Sequence, residues 1–291
     1  MSIFFTKAVK YAILKENVKN HRVKGDVCMS LVKERDTLIK EWLLEAKKAI
    51  EESADAGLEI ETKSSRSDFV TNMDREIEEE LVKKIKQYFP NDKIVSEEGF
   101  GDDLSSIDMS EDTVWFLDPI DGTMNFVLQN ENYVVMLAVF EKGIGMQSYI
   151  FDVSKDNLYW AIKGEGVYCN DQLLPRMKDL ALRDGLFASN SKFLSDEIVS
   201  INVEILKESM GIRAIGSAGL EAVEIIKGST VVYVTYGLNA WDIAPGIMMI
   251  QENGGEVTRF DGKPLNILEK APLIMGTPAA NKDIHEILKN N

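Results

Sequence analysis

Two aspartates three residues apart, Asp118 and Asp121, stand in the stretch DPIDGTMNF, directly after the apolar run VWFL. Carboxylates at that spacing can face one cation, and the carbonyl of Ile120 between them offers a third oxygen. Pro119 stiffens the stretch. Gly122 lets backbone approach a ligand closely, and the N–H groups of Gly122 and Thr123 can face a phosphate. Oxygen donors without cysteine or histidine select Mg2+, or Mn2+, over zinc. Without cations, several close carboxylates would repel and some would hold protons. Asp-Gly is equally a common hairpin turn, so taken alone the stretch reads as either.

Other acids fall at element ends. Asp74 lies in DFVTNMD, in the first turn of a helix; Glu97 and Glu98 end KIVSEEG; Asp242 follows Trp241 in NAWDIAPG and opens a helix. Each has a plainer reading, since aspartates favour helix N-termini and glutamates favour solvated loops. Their company is what the plainer readings leave unexplained, because strand ends and helix starts are where α/β proteins gather sites. With Asp242 as N-cap, Pro245 would lie in the first turn, where its missing N–H has no helical partner. Trp241 reads as a packing residue.

The elements that must hold these acids follow from periodicity. Apolar residues repeat at helical spacing from Leu38 to Ile50, and again from about Asn72 to Phe89, where Thr71 can cap and Pro90 closes. LEIETK, KIVSEEG and TVWFLD read as strands. YVVMLAVF, GMQSYIFDV and NLYWAIKG read as an antiparallel meander. After about residue 170, strands alternate with helices over 195–207, 217–227, 242–253 and 280–289, an α/β pattern. The expected organisation is an N-terminal extension over 1–30, helices plus antiparallel sheet over 31–170 carrying most acids, and an α/β half over 171–291 carrying Asp242. A layered α/β architecture with a cleft between the halves results.

Composition narrows the chemistry. The chain has 291 residues, a net charge of −15 and 45% hydrophobic residues. That charge argues against nucleic acid as the main partner. An acidic protein can still bind a small phosphate compound through metal ions. No apolar run approaches the roughly 20 residues of a membrane span, and Cys28 and Cys169 alone make no disulfide framework, so a cytoplasmic setting is expected. The two histidines, His21 and His285, lie near the ends, and neither a Walker loop nor a G-x-S-x-G elbow occurs. Carboxylates, hydroxyls and metal must therefore carry any catalysis. Residues 1–30 are lysine-rich and aperiodic. KGD at 24–26 can be encoded as a ribosome-binding sequence ahead of the Met29 codon, so Met29 is one candidate start and an ordinary N-terminal arm is the other.

WFLDPIDGTMNF and WDIAPGIMMIQENGG resemble the two signatures of the inositol monophosphatase family, with DFVTNMD, SEEG and GIRAIGSAGLEAV in the expected order from about residue 36 onward. The resemblance implies a five-layered αβαβα sandwich and a lithium-sensitive, Mg2+-dependent phosphomonoesterase, usually a homodimer, using two or three ions. It implies Glu97, Asp118 and the Ile120 carbonyl as ligands of a first Mg2+, and Asp118, Asp121 and Asp242 as ligands of a second. Thr123 paired with Asp74 would orient and deprotonate the attacking water, with Glu97 beside them. The Gly122 and Thr123 amides would cradle phosphate, and Lys63, Ser217 and Ala218 would line the substrate pocket. Thr235 stands where the animal enzymes carry an inositol-binding glutamate, and Pro245 where a small residue is usual. The first departure leaves fructose 1,6-bisphosphate, a 3'(2'),5'-bisphosphate nucleotide and NADP open beside inositol phosphate. A regulatory protein that kept the fold without the chemistry, and a passive cation-binding module, are the rivals of other classes.

Overall fold

The computed structural model describes residues 24–53, 59–63, 69–190 and 199–290. Of the expected N-terminal extension, residues 1–23 lie outside the described residues, while 24–30 begin helix α1 (Lys24–Ser53). That helix is far longer than the 38–50 stretch of clear apolar period. Its buried stripe, Leu38, Ile39, Trp42, Leu43, Ala46 and Ile50, is the part that packs. Upstream, Arg35 is buried instead, donating to Gln147 and, at 2.8 Å, to Glu141. A polar anchor there extends the helix where an apolar period cannot be read.

Five layers follow from which faces are apolar. Helices α1 and α2 (Asn72–Tyr88) cover one side of a seven-stranded sheet. Its order is β3 (Lys93–Ser96), β4 (Thr113–Asp121), β5 (Val134–Glu141), β6 (Ile144–Asp152), β7 (Asn157–Ile162), β8 (Gly166–Cys169) and β9 (Gln172–Leu173). β3 runs parallel to β4, and the rest is the expected antiparallel meander. A short hairpin of β1 (Ile60–Thr62) and β2 (Phe69–Thr71) leads into α2. Along β4, Trp115 and Leu117 face α1 and α2, while Val114 and Phe116 face the opposite side, as the two-residue strand period demands.

The far side of that sheet packs on a middle layer, α5 (Ala218–Ile226) and α6 (Ala240–Glu252). The other face of this layer meets a five-stranded sheet ordered β11 (Ile212–Arg213), β10 (Phe187–Ser189), β12 (Val232–Thr235), β14 (Leu273–Gly276) and β13 (Glu256–Arg259). Tyr233, Leu273 and Met275 point to the middle helices. Val232, Val234 and Ile274 point outward to the final layer, α4 (Val199–Glu208) and α7 (Pro278–Asn290). Residues 191–198, including the start of the helix expected from 195, lie outside the described residues. The architecture is thus the αβαβα sandwich.

One open alternative is decided and one expectation is corrected. DPIDG does not form a hairpin turn: β4 continues to Asp121, with a bulge between the pairs Asp118–Met136 and Asp121–Val134. Gly122 then caps α3 (Thr123–Gln129) at φ 90°. Asp242 is not the N-cap of α6. Asn239 caps it and Asp242 is the third residue, so Pro245 lies inside the helix rather than in its first turn. There its ring removes the donor that the Trp241 carbonyl would use.

Candidate metal and phosphate site

The bulge at the end of β4 is where the acids meet. An extra residue in a strand re-aims side chains, and here the side chains of Asp118 and Asp121 are both buried, at 1% and 9% exposure. Asp118 Oδ1 accepts from the Ile120 amide at 3.1 Å. Its carboxyl is held well above the usual range, first by burial and then by the charges of Glu97, Asp121, Asp242 and Asp74. One buried aspartate therefore feels four other carboxylates that come from three other elements and its own strand.

Three helix N-termini hold three of the acids, Asp74, Asp242 and Asp121. In α2, Asp74 closes a capping box: its Oδ2 accepts from the Thr71 amide at 2.7 Å and the Thr71 hydroxyl at 2.5 Å, while Oδ1 accepts from Thr123 Oγ1 at 3.2 Å. The capping reading and the site reading are both met, one oxygen each. In α6, Asp242 repeats the device, with Oδ2 accepting from the Asn239 amide at 2.7 Å and its side-chain amide at 3.3 Å. Burial and the charge of Asp121 raise its pKa against these bonds. In α5, Asp121 is itself the capping anion. Its Oδ2 accepts from Ser217 Oγ at 2.5 Å and the Gly219 amide at 2.8 Å, and Oδ1 accepts from the Ala218 amide at 3.2 Å.

Ser217 is thus a buried partner of Asp121 rather than a pocket wall, and Ala218 contributes its amide at the same place. Helix dipoles and free N–H groups pointing into one region favour anions, carboxylate or phosphate alike. Gly219 escaped notice in the sequence. A Cβ there would stand 2.4 Å from Met136 Sδ and 2.8 Å from Val134 Cγ2, so only glycine lets α5 come this close to Asp121. Gly122 is required for both reasons, its positive φ and an approach of 3.2 Å between its would-be Cβ and Ser217.

The fifth acid, Glu97, lies just past β3. Burial raises its pKa, Lys63 opposes that, and the charges of Glu98 and Asp242 add to it. Lys63 donates to Glu97 at 3.0 Å and also to Glu98. Burial works against charge on Lys63, but the two glutamates outweigh it and hold the ammonium above the ordinary lysine range. Thr123 Oγ1 has two acceptors, the Ile120 carbonyl at 2.9 Å and Asp74 at 3.2 Å. Thr235, at the position of the expected inositol contact, is wholly buried on β12, within 3.4 Å of Asn190 Nδ2. Behind the site, Glu221 is 2% exposed and its pKa is pushed up to about 7, mainly by burial. Its Oε1 takes the Ile215 amide at 2.5 Å, and its Oε2 has no partner among the described residues. Sequence reading missed it, as it missed Gly219.

Among the described residues no three His, Cys, Asp or Glu side chains are grouped tightly enough to hold an ion as they stand. The donor chemistry nevertheless fits a hard divalent cation: carboxylates and a carbonyl, crowded and buried, with no soft donor and with raised pKa values that a cation would lower.

Comparison with known proteins agrees. The profile described as the inositol monophosphatase family matches residues 32–291. The chain is 37% identical over 256 residues to the inositol-1-monophosphatase of Bacillus subtilis (strain 168), covering 87% of this chain and 96% of that protein. It is 32% identical over 211 residues to a fructose-1,6-bisphosphatase/inositol-1-monophosphatase of Thermotoga maritima, covering 72% and 79%. A crystal structure of an IMPase/NADP phosphatase complexed with Mg2+ and phosphate superposes with a TM-score of 0.81 at 30% identity, over 89% of this chain and 97% of that one. A staphylococcal inositol monophosphatase-1 soaked in LiCl as an inhibitory complex gives 0.82 at 30% identity, over 89% and 96%. Sequence span, identity and layer order lead to one conclusion: the chain belongs to the inositol monophosphatase family.

Proposed function

We propose that this phosphomonoesterase hydrolyses small sugar or polyol phosphates of the inositol-1-phosphate type, with Mg2+ held by Glu97, Asp118, Asp121, Asp242 and the Ile120 carbonyl. The observation that carries the reading is Asp118, a buried carboxylate set among the charges of Glu97, Asp121, Asp242 and Asp74. A cation bound there would supply positive charge for the phosphate oxygens and the leaving group and would make the attacking water easier to deprotonate. The chain's own residues do the rest. Thr123 Oγ1, donating to Asp74 Oδ1, turns a lone pair toward the cleft and orients the water, and Asp74 takes the proton relayed through that hydroxyl. The amides of Gly122 and Thr123 at the start of α3 offer hydrogen bonds to phosphate. Lys63 beside Glu97 and Glu98 is a cation at the cleft rim.

Two or three ions, Mn2+ as a substitute, inhibition by Li+, a homodimer and a cytoplasmic setting belong to the same reading. Among the described residues no helix is long and apolar enough to cross a membrane. The division at about residue 170 is retained as a reading of which segments supply which acids. A second substrate reading, fructose 1,6-bisphosphate, a bisphosphorylated nucleotide or NADP, is kept open by Thr235, which stands where a carboxylate would be expected to grip inositol.

Phosphate release from a panel of these esters, with and without Mg2+ and Li+, tests the proposal. The expected result is Mg2+-dependent turnover of at least one ester, suppressed by Li+. Asp242→Asn should lower kcat by about a thousandfold while the fold survives, because the asparagine oxygen can still accept from Asn239. Turnover indifferent to Mg2+, or a fully active Asp242→Asn enzyme, would remove the assignment.

A further inference from the structure

Glu78 is a glutamate that no step above uses. It sits on α2 one turn after Asp74, and it is wholly buried. Its Oε1 accepts from Ser96 Oγ at 2.6 Å and from the Phe100 amide at 3.0 Å, and its Oε2 accepts from the Glu98 amide at 2.7 Å. The donors come from residues 96, 98 and 100, on both sides of Glu97. One carboxylate thus gathers the whole turn that carries the acid at the rim. The turn is tight: Gly99 has φ 90°, and a Cβ at Gly101 would stand 2.6 Å from the Ile94 carbonyl.

The same helix face does two jobs. Residues four apart on a helix point the same way, so Asp74 reaches Thr123 while Glu78 reaches the Glu97 turn. From this geometry we infer that Glu78 is a positioning residue. It sets the reach and direction of Glu97, and through it the affinity of the site for a divalent cation. The inference rests on the proposed role of Glu97 as a cation ligand. Three donors need acceptors on both oxygens. A glutamine offers one acceptor oxygen and one NH2, so either the Glu98 or the Phe100 amide would then face another donor. A group that orients a ligand without touching the ion acts on affinity more than on the chemical step.

The test uses the full chain and its Glu78→Gln, Ser96→Ala and Glu97→Gln variants. Mn2+ binding is followed by loss of the free-ion paramagnetic resonance signal, amide hydrogen exchange over 96–101 is measured in chelator-treated protein, and kcat is measured at saturating Mg2+. Glu78→Gln should weaken Mn2+ binding about tenfold or more and speed exchange over 96–101, with kcat at saturating Mg2+ held within about threefold. Ser96→Ala, which leaves the buried acid in place, should weaken binding about threefold. Wild-type Mn2+ affinity in Glu78→Gln, or in Ser96→Ala should the first variant not fold, overturns the inference. So does a loss of kcat that added Mg2+ leaves unrestored. Wild-type affinity in Glu97→Gln overturns the cation role of Glu97 instead, and exchange over 96–101 then still reports whether Glu78 holds the turn.

Discussion

At the scale of single residues, carboxylates here serve structure and site with different oxygens. Asp74 gives Oδ2 to the cap of α2 and Oδ1 to Thr123, and Asp242 gives Oδ2 to the cap of α6. Capping fixes each carboxyl against its own backbone, so the second oxygen is aimed before any ligand arrives. Thr123 depends on that aim. Its one proton can go to Ile120 or to Asp74, and only the second choice would give the proposed attacking water a path to a base. Thr123→Ala should therefore lower kcat by about 10²- to 10⁴-fold with KM changed little, measured as initial rates across substrate concentration at saturating Mg2+. A rise in KM at constant kcat would reassign the hydroxyl to substrate binding. At this scale the sequence was legible where an acid ended an element and opaque where it looked like its neighbours. Glu78 stands in EIEEEL between exposed Glu76 and exposed Glu79 and Glu80. Its one mark is its place on the Ile77, Leu81 and Ile85 stripe, a signal that a run of glutamates conceals. Glu221 was hidden in the same way, since a buried acid and a surface acid are spelled alike.

At the scale of elements, the site depends on how closely α5 can approach the end of β4. Gly219 permits the approach and donates to Asp121, while Gly246 on α6 permits a similar contact with Ala222, 2.8 Å from its would-be Cβ, without touching any site acid. The pair separates packing from positioning. Gly219→Ala and Gly246→Ala should each lose about 1–3 kcal/mol of stability from overpacking, read from thermal or urea unfolding in chelator. Only Gly219→Ala should also raise the Mg2+ concentration needed for half-maximal activity, because α5 must back away from Asp121. Equal Mg2+ dependence in the two variants would show that the bond from Gly219 contributes nothing to the site. Element boundaries were the least legible feature. The strands with alternating or continuous apolar patterns were visible, but the bulge in β4 and the seven-residue α3 leave no period to read. Asp242 sits three residues beyond the cap expected of it, because Asn239 caps as well as an aspartate does.

At the scale of the whole molecule, the five layers bring together residues far apart in the chain. The end of β4 meets the start of α2 from the outer helix layer and the starts of α5 and α6 from the middle one, with Glu97 supplied by the turn after β3. Burying these acids side by side in a protein of net charge −15 works against the folded state, as their raised pKa values record. A divalent cation that binds only when all the segments are in place must then stabilise the fold as a whole. At free Mg2+ about a hundred times its Kd the linkage is worth about 2.7 kcal/mol, and each kcal/mol raises Tm by about 2–4 °C in a domain approaching this size. Mg2+ should therefore raise Tm by roughly 5–10 °C over chelator-treated protein, in a scan at constant ionic strength. Asp242→Asn, which keeps the cap but removes a charge from the cluster, should lose most of that rise while unfolding at a Tm in chelator no lower than the parent's. A Mg2+ effect of equal size in both proteins would mean that the cation stabilises some other part of the molecule, and that the acids gathered at β4 are held together by packing alone.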